Sequence, residues 1–409
     1  MATDLSHVPP AGSPAGPSPG PRPTGDANAP RSAEPGLAEV AVVGAGIVGC
    51  ACAARLAERG LQVVLIERES AAATGSTARS ASGIRVQFSE PANIALSGAS
   101  LDEYRALPQA DYRATGYLFL VPPDGADAQR EGVRRQRDAG HDVKVLTLAQ
   151  ARAIVDFDPR GIELATWCAA DGVIDPHGIA TAFLAQARAA GATVMTSAEV
   201  RSLRHDGDAW TLGLPGGPVR ARSIVNAAGA WAGRVGALAG LPIPVQPARR
   251  IVFATGAADA PMRAPLTVDL ASGVWFRPEQ RRLIIGRSNP DDIGFGEGID
   301  WAWLEPTVEP ALARFPWLAT HGIDRRASWW GYYEVTPDHQ PLLGWRPDAP
   351  AWLDACGFSG HGVQQAAAVG RIVASLLAGE TPAIDVSSLS PSRFLGGDAG
   401  ARAAERLVV

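Results

Sequence analysis

Three glycines stand at a spacing that would let a protein backbone approach a pyrophosphate. Gly44, Gly46 and Gly49 follow the apolar run 40–43, and Glu67 closes a second apolar run. The first glycine permits a tight turn, the second lets backbone N–H groups approach phosphates, and the third lets a helix pack on a strand. The helix then points its positive end at the phosphates, and the carboxylate accepts from ribose hydroxyls. An ordinary glycine-rich crossover would leave the acid unexplained, so the pattern predicts dinucleotide binding.

The composition defines the kind of chain that must position these residues. It has 409 residues, of which 46% are hydrophobic and 19% charged, with a net charge of −5. This length is enough for two domains, and the charge balance argues against nucleic acid or an anionic membrane surface as a partner. No apolar run of about 18 residues occurs, so we predict no membrane span. The four cysteines form no Cys-x-x-Cys pair, and we interpret them as reduced packing residues of a cytoplasmic protein.

The amino-terminal segment differs from the rest of the chain. Residues 1–37 are rich in Pro, Ala, Gly and Ser and have few large apolar side chains. We predict a disordered tail because such a composition cannot bury enough surface to fold. It lacks the apolar core of a secretory signal, and Asp4, Asp26 and Glu34 argue against a transit peptide.

The pattern of the remaining residues alternates between strand and helix signals. Predicted helices span 91–107, 126–140, 176–190 (after an Asp175 N-cap) and 363–377, and predicted strands include 117–121, 193–195 and 223–226, with another beginning at 199–200. Short strands with many Pro, Gly and Trp residues follow from 241 to 330 and indicate an antiparallel sheet. The fold class predicted is α/β, with a Rossmann-like domain built from discontinuous segments and an α+β second domain. The predicted boundaries are 38–90, 170–240 and 335–385 for the first domain, 91–169 and 241–334 for the second, and 386–409 for a carboxyl-terminal extension.

Three further glycine-rich segments favour one dinucleotide cofactor, FAD, over the other, NAD. They lie at 75–85, 227–229 and 357–362. Extended FAD touches protein along its whole length, so several spaced sites of backbone approach favour FAD over NAD. The last of them precedes a helix, whose positive end would stabilise the negative edge of a reduced flavin. The segment 294–298 is also rich in glycine, but it opens no helix and we interpret it as a loop.

These motifs together resemble those of the D-amino-acid oxidase-like FAD oxidoreductases. The resemblance rests on the glycine unit, the 75–85 loop, the segments 329–338 and 357–364, and it covers roughly residues 38–385. The chain is most similar to the group of sarcosine oxidases, sarcosine oxidase β-subunits and FAD-dependent oxidoreductase domain-containing proteins. The resemblance implies an FAD domain, a substrate domain over the flavin, and oxidation of a C–N bond by hydride transfer to flavin N5, with hydrolysis of the imine product.

Departures from this family pattern carry information of their own. Relatives that attach flavin covalently use a Cys or a His, where this chain has Gly331 and Arg79. We therefore predict non-covalent FAD. Sarcosine-type oxidases also carry a Lys that assists oxygen, and the matching residue here is Ile284. Its absence favours a dehydrogenase with another electron acceptor.

The resemblance also suggests roles for individual residues. Arg85 matches the arginine that holds the substrate carboxylate, and an ion pair or support of the FAD loop is the alternative. His361 and Tyr333 are candidates to face the substrate, although structural packing is the alternative for each. Gln364 stands where relatives have a second cation, and we expect it to contact the flavin. The residues expected to bind FAD are Gly44, Gly46, Ile47, Val48, Gly49, Glu67, Arg68, Ser76, Thr77, Arg79, Ser80, Val200, Ala228, Gly229, Trp231, Gly357, Gly360, His361, Gly362, Val363 and Gln364.

Other conspicuous residues have plainer interpretations. We interpret Arg277 and Arg287 as members of surface or interdomain ion pairs, and the tryptophan pairs 301/303 and 329/330 as core packing. No metal site is predicted.

Three functional hypotheses stay open at this point. The first is oxidation of an amino acid or N-alkyl amino acid, with oxygen, a quinone or a flavoprotein as electron acceptor. The second is oxidation of a 2-hydroxy acid, which would need a base such as His361. The third is a flavin-binding assembly protein of low turnover or a subunit of a larger complex.

Overall fold

The computed structural model describes residues 36–259, 262–395 and 404–407. Residues 1–35, which form nearly all of the predicted tail, lie outside the described part. The strands are β1 (Leu37–Val43), β2 (Val63–Ile66), β3 (Gly83–Ile84), β4 (Tyr117–Val121), β5 (Val143–Leu146), β6 (Leu164–Cys168), β7 (Gly172–Val173), β8 (Thr193–Met195), β9 (Ser202–Asp206), β10 (Ala209–Leu214), β11 (Gly217–Asn226), β12 (Gln246–Thr255), β13 (Leu266–Asp269), β14 (Val274–Glu279), β15 (Arg282–Arg287), β16 (Ile323–Val335), β17 (Leu342–Trp345) and β18 (Trp352–Cys356). The α-helices are α1 (Ile47–Glu58), α2 (Pro91–Ala106), α3 (Ala126–Asp138), α4 (Leu148–Arg152), α5 (Pro176–Ala189), α6 (Ala232–Leu238), α7 (Leu304–Arg314) and α8 (Gly362–Leu377).

The first large sheet contains the predicted glycine unit at its centre. Its order is β17-β18-β11-β1-β2-β8, and β9 and β10 form a hairpin on β11. The pairs from β18 through β8 are parallel, as expected for strands connected by crossover helices. Alternate residues of β1 face two cores, with Val40 and Val42 on one side and Ala41 and Val43 on the other. The sheet is therefore buried on both faces around its central strand.

Helices α1, α5 and α8 cover one face of this sheet, and small residues let them approach closely. A Cβ added at Gly370 of α8 would lie 2.8 Å from backbone atoms of Ala51 in α1. Such a distance is shorter than van der Waals contact, so only glycine permits this spacing. The close packing fixes the amino-terminal ends of both helices, where the site is built.

The second large sheet has the order β16-β12-β15-β14-β13-β4-β6-β5. All its pairs are antiparallel except β4 with β13, which are parallel. The predicted antiparallel sheet is thus correct apart from this one pair. The two strands come from distant segments, so no hairpin turn dictates their direction. Helix α7 lies against β14 and β15 within the region for which the sequence predicted only strands and loops.

Most of the predicted elements are present, and their ends are set by local chemistry. Strand β4 has the predicted bounds, and α2 and α8 differ from prediction by one residue. Asp175 caps α5 by accepting from the amide of His177 at 3.0 Å, as predicted. The strand predicted to begin at 199–200 is present, but it begins later, with β9 at Ser202.

The predicted division into domains stays a prediction, and the packing of α2 bears on one of its boundaries. Helix α2 lies in the segment assigned to the second domain, yet Leu96, Leu101 and Tyr104 belong to the core that also holds α1 and α8. Within the described residues, no helix is long and apolar enough to cross a membrane.

Candidate functional site

The β1–α1 turn has the geometry that its glycines predict. Gly44 has a φ of +101°, and a Cβ there would lie 2.5 Å from the carbonyl oxygen of Ala227. A Cβ at Gly49 would lie 1.8 Å from the carbonyl oxygen of Gly44. Both positions therefore require glycine, one for backbone conformation and one for helix packing. Gly46 precedes α1 without a side-chain cap of its own, and the first turn of the helix faces the cavity described next, where an anionic ligand would meet its positive end.

A cavity of about 1020 Å³ opens in front of this turn. That volume lies at the upper end of the range for small-molecule sites. Its wall includes residues of both large sheets, from the glycine turn to Tyr117, Leu266 and Trp275. An elongated dinucleotide fits this arrangement, because the glycine cradle and the helix start form one wall and the second sheet forms another.

The acidic end of the glycine unit also faces the cavity. Glu67 lines it, and its carboxylate accepts from the amide of Ala45 at 2.9 Å, which fixes the acid beside the turn. The guanidinium of Arg68 lies 3.9 Å from the centre of the Trp231 ring, and both residues line the cavity. The neighbouring Val200 lines it as well.

The predicted 75–85 loop forms another part of the wall. Thr77 accepts from the amide of Ile47 at 3.1 Å, so the loop is tied to the start of α1. Ser76 donates to the carbonyl of Tyr332 at 2.8 Å, which ties the same loop to β16. Arg79 lies over the Trp330 ring at 4.5 Å. The loop therefore joins the glycine turn to the second sheet.

The carboxyl-terminal glycine loop closes the cavity near the start of α8. Gly360 has a φ of +93°, and a Cβ there would lie 2.4 Å from the ring of Tyr333. Gly362, Val363 and Gln364 line the cavity at the first turn of α8. Ala228 and Gly229 line it from the turn after β11. Of the residues expected to bind FAD, only Gly49, Gly357 and His361 do not line the cavity.

Arg85, expected to hold the substrate carboxylate, lies behind the cavity wall. Its exposed fraction is 1%, and it does not line the cavity. Its guanidinium donates to the carbonyls of Gln87 and Leu407 and stacks 4.0 Å from the centre of the Phe88 ring. These contacts occupy the donors that a substrate carboxylate would need.

His361 lies beside Arg85 and likewise faces away from the cavity. Its Nε2 is 3.3 Å from Nη2 of Arg85. A guanidinium only donates, so Nε2 accepts and the proton sits on Nδ1. Burial, together with the charge of Arg85, holds the pKa of His361 well below its ordinary value. The imidazole is thus neutral and already hydrogen-bonded, and it is poorly placed to act as a base on a substrate.

Tyr333, a candidate to face the substrate, lines the cavity and has a cationic neighbour that the sequence did not single out. The guanidinium of Arg250 lies 5.3 Å from the centre of the Tyr333 ring and also lines the cavity. Nη1 of Arg250 donates to the carbonyls of Arg249 and Asn289 at 2.9 and 3.2 Å. Its Nε is buried and has no hydrogen-bond partner among the described residues.

The charge of Arg250 is also unpaired. No carboxylate within the described ranges forms an ion pair with it, and burial lowers its pKa from the ordinary value. A half-buried cation that forms no ion pair is costly, so this position favours an anionic ligand. Only the doublet Arg249-Arg250 hints at it in the sequence, where nothing distinguishes it from surface arginines.

The sequence predicts ion pairs for two other arginines, Arg277 and Arg287. Arg277 forms the expected ion pair, with Glu279 at 2.5 Å. Arg287 instead lines the cavity and donates to the carbonyls of Ser272 and Pro306, so its interpretation as an ion-pair member is wrong. Ile284, where relatives have a lysine, is buried with Val252 and Trp275.

The region 294–298 is a loop, as predicted, and it covers one side of the cavity. Phe295 stacks on Trp231 with ring centres 5.2 Å apart. The hydroxyl of Tyr332 donates to the carbonyl of Gly296 at 2.8 Å, and Arg249 donates to the carbonyl of Glu297 at 2.9 Å. These contacts bring an aromatic surface to the cavity that no periodic pattern in the sequence indicates.

Comparison with known proteins is consistent with this architecture. The family model described as FAD dependent oxidoreductase matches residues 39–376. FAD-dependent oxidoreductase domain-containing protein 1 of Xenopus laevis is 31% identical over an alignment that covers 91% of this chain and 84% of that protein. Human mitochondrial sarcosine dehydrogenase is 25% identical, over 90% of this chain and 42% of the relative. The crystal structure of L-proline dehydrogenase from P. horikoshii superposes with a TM-score of 0.81 at 29% identity, covering 88% of this chain and 99% of that one.

Proposed function

This chain belongs to the family of FAD-dependent oxidoreductases, and we propose that it oxidises the C–N bond of an amino acid or N-alkyl amino acid. The observation that carries the proposal is the unpaired guanidinium of Arg250 in the cavity wall. A planar guanidinium binds a carboxylate through two parallel hydrogen bonds, and the substrate carboxylate would supply the missing counter-ion. Relatives that carry the names L-proline dehydrogenase, sarcosine dehydrogenase and glycine oxidase support this substrate class.

The rest of the wall suits the apolar part of such a substrate. Val252, Leu266 and Trp275 line the cavity on the side of the second sheet, and the Tyr333 ring stands beside Arg250. Arg250 orients the substrate through its carboxylate, while the apolar residues exclude water from the reacting carbon. Orientation of this kind supplies much of the rate in a reaction that needs little acid–base chemistry.

The proposed reaction requires little acid–base chemistry from the protein. FAD held by the glycine turn and the start of α8 would supply a hydride acceptor for a carbon bonded to the substrate nitrogen. The substrate amine loses a proton, and the resulting imine is hydrolysed by water to a carbonyl compound and an amine or ammonia. The side chains described here bind, orient and desolvate the substrate.

The alternative reaction is the oxidation of a 2-hydroxy acid, for which the sequence suggests His361 as the base. That reaction needs a group that accepts the hydroxyl proton, and His361, the base suggested by the sequence, lies behind the cavity wall. We also propose that the electron acceptor is a species other than oxygen, because Ile284 provides no cation for oxygen reduction. The cytoplasm stays the proposed compartment, since all four cysteines are buried and free.

Anaerobic mixing tests the proposal directly. The holoenzyme is mixed with glycine, sarcosine, dimethylglycine, L-proline and, as the contrasting class, lactate and glycolate, and the loss of the flavin absorbance is followed. We expect bleaching by at least one amino or N-alkyl amino acid. Bleaching by hydroxy acids alone, or by nothing in the panel, would contradict the proposal. Turnover with oxygen and with an artificial dye then tests the acceptor, and fast turnover with oxygen alone would exclude the dehydrogenase.

A further inference from the structure

Glu334 is a carboxylate in the cavity wall that the proposed reaction does not use. It lies near the end of β16 and lines the cavity. Its Oε2 accepts from the amide of Gly357 at 2.9 Å, and its backbone carbonyl accepts from the amide of Ser359 at 3.0 Å. A Cβ added at Gly229 would lie 3.9 Å from the same Oε2. One residue therefore joins β16 to the carboxyl-terminal glycine loop beside the turn that follows β11.

The charge of Glu334 is not neutralised by a neighbour. No ion pair to its carboxylate occurs within the described ranges. Charged or titratable groups stand on the elements packed around it, and none of them donates a hydrogen bond to its carboxylate: Arg249, Arg250, Tyr332, Tyr333, Cys356 and His361.

Burial raises the pKa of Glu334 to about 7, although the amides of Gly357 and Phe358 favour the charged form. A carboxyl in this environment changes its charge near neutral pH. Its ionisation would place in the cavity wall a negative charge with which no described cation forms an ion pair.

We propose that Glu334 is a positioning residue for the cofactor, which holds the glycine loop and whose ionised carboxylate makes reduction of the bound flavin less favourable. Reduction adds electrons to the flavin, so a negative charge in a poorly solvated wall raises the energy of the reduced form. The start of α8 acts in the opposite sense, because its positive end stabilises a negative flavin edge. Ionisation of Glu334 would therefore shift the equilibrium between oxidised and reduced flavin in the direction opposite to the effect of α8. This inference rests on FAD binding alone and not on the proposed substrate.

The test compares the midpoint potential of the bound flavin in wild-type holoenzyme and in the E334Q variant at pH 6 and pH 8.5. Reduction uses dithionite with a reference dye and no amino acid. Glutamine keeps the size of the side chain and an oxygen that accepts from Gly357. At pH 8.5 we expect the variant to favour the reduced flavin about tenfold more than wild type, which is about 30 mV for a two-electron couple. At pH 6 the difference should fall below about threefold, since the wild-type carboxyl is then protonated.

E297Q is the matched control, because Glu297 also lines the cavity but is exposed to solvent. It should change the equilibrium less than twofold at either pH, since water screens an exposed charge. Equal potentials for wild type and E334Q, or a shift of the same size at both pH values, would overturn the proposal. If E334Q fails to retain FAD, the wild-type absorption spectrum between pH 5.5 and 8.5 decides: a transition near neutral pH supports the proposal, and an invariant spectrum overturns it. Neither result depends on which substrate the enzyme oxidises.

Discussion

The guanidinium of Arg85 donates a hydrogen bond to the backbone carbonyl of Leu407, a residue 322 positions later in the chain. The segment 404–407 is therefore part of the folded body that surrounds the site. Leu407 packs in the core that also contains Tyr117 and Trp275 of the cavity wall. This contact explains why the arginine expected to hold the substrate is occupied by the protein itself.

The same segment is anchored by Glu405, and its removal should destabilise the fold. The carboxylate accepts from the amides of Ser89 and Glu90 and from the side chain of Asn93, at 2.9 to 3.1 Å, around the start of α2. Glu405→Ala leaves these donors buried and unpaired, so we expect a loss of about 2–3 kcal/mol in the free energy of unfolding. Urea unfolding followed by fluorescence measures it. Arg406→Ala, at an exposed neighbour, should change stability by less than about 0.5 kcal/mol, and equal stability of the two variants would contradict the anchoring role.

Arg250→Met should weaken the binding of carboxylate substrates. Loss of a charge-assisted pair costs about 1.5–3 kcal/mol, so we expect KM to rise about 10- to 150-fold while kcat changes much less. Steady-state kinetics with the substrate found by anaerobic mixing measures both constants. Arg201→Met is the control, because Arg201 also lines the cavity but its side chain is 65% exposed. A fall in kcat at unchanged KM would assign Arg250 a different role.

Gly44→Ala should abolish FAD binding. The new Cβ would meet the carbonyl of Ala227 at 2.5 Å, at a φ of +101° that alanine rarely adopts. We expect the purified variant to contain less than about a tenth of the wild-type flavin, measured by absorbance per protein. Gly75→Ala is a matched control in the same cavity wall, since a Cβ there meets nothing within 4 Å. Normal flavin content in Gly44→Ala would refute the cradle geometry.

Denaturation should release all of the flavin. Gly331 lines the cavity at the position where relatives with covalent flavin carry a cysteine, and a Cβ there would lie 2.9 Å from Cβ of Arg79. Neither residue can form a thioether or a histidyl bond to FAD. Acid precipitation followed by spectroscopy of pellet and supernatant checks this, and yellow protein in the washed pellet would show the prediction to be wrong.

The raised pKa of Glu334 also predicts how stability depends on pH. The folded carboxyl has a pKa of about 7 against an ordinary value of 4.5, so between these values the folded protein binds more protons than the unfolded chain. The contribution of Glu334 to the free energy of unfolding is therefore largest below about pH 4.5, and it is lost as the pH rises through 7. As the pH rises from 5 to 8, we expect the free energy of unfolding of E334Q to increase by about 1–2 kcal/mol relative to wild type. This value is reduced because the carboxyl has partial access to solvent. Thermal melting of both holoenzymes across this range measures it, and parallel curves would rule the effect out.

Features that depend on local spacing were predictable from the sequence. The glycine unit, the cap at Asp175, strand β4 and helix α8 follow from backbone sterics and periodicity within a few residues, which are properties of a short stretch of chain. The family resemblance and the FAD cofactor rest on the same local motifs.

Features that depend on which distant segments meet were decided only by the tertiary structure. The family resemblance implies a substrate-binding role for Arg85, but its guanidinium donates to the carbonyl of Leu407, which comes from the other end of the chain. In the sequence Arg250 looks like any surface arginine, but the pairing of β12 with β16 places it half-buried beside Tyr333, where no described carboxylate forms an ion pair with it. The pKa of Glu334 is raised because the fold removes its carboxyl from water, and the amides of the glycine loop only partly offset this effect. The energy of a charge is set by its surroundings in space, and short-range patterns in the sequence carry no record of those surroundings.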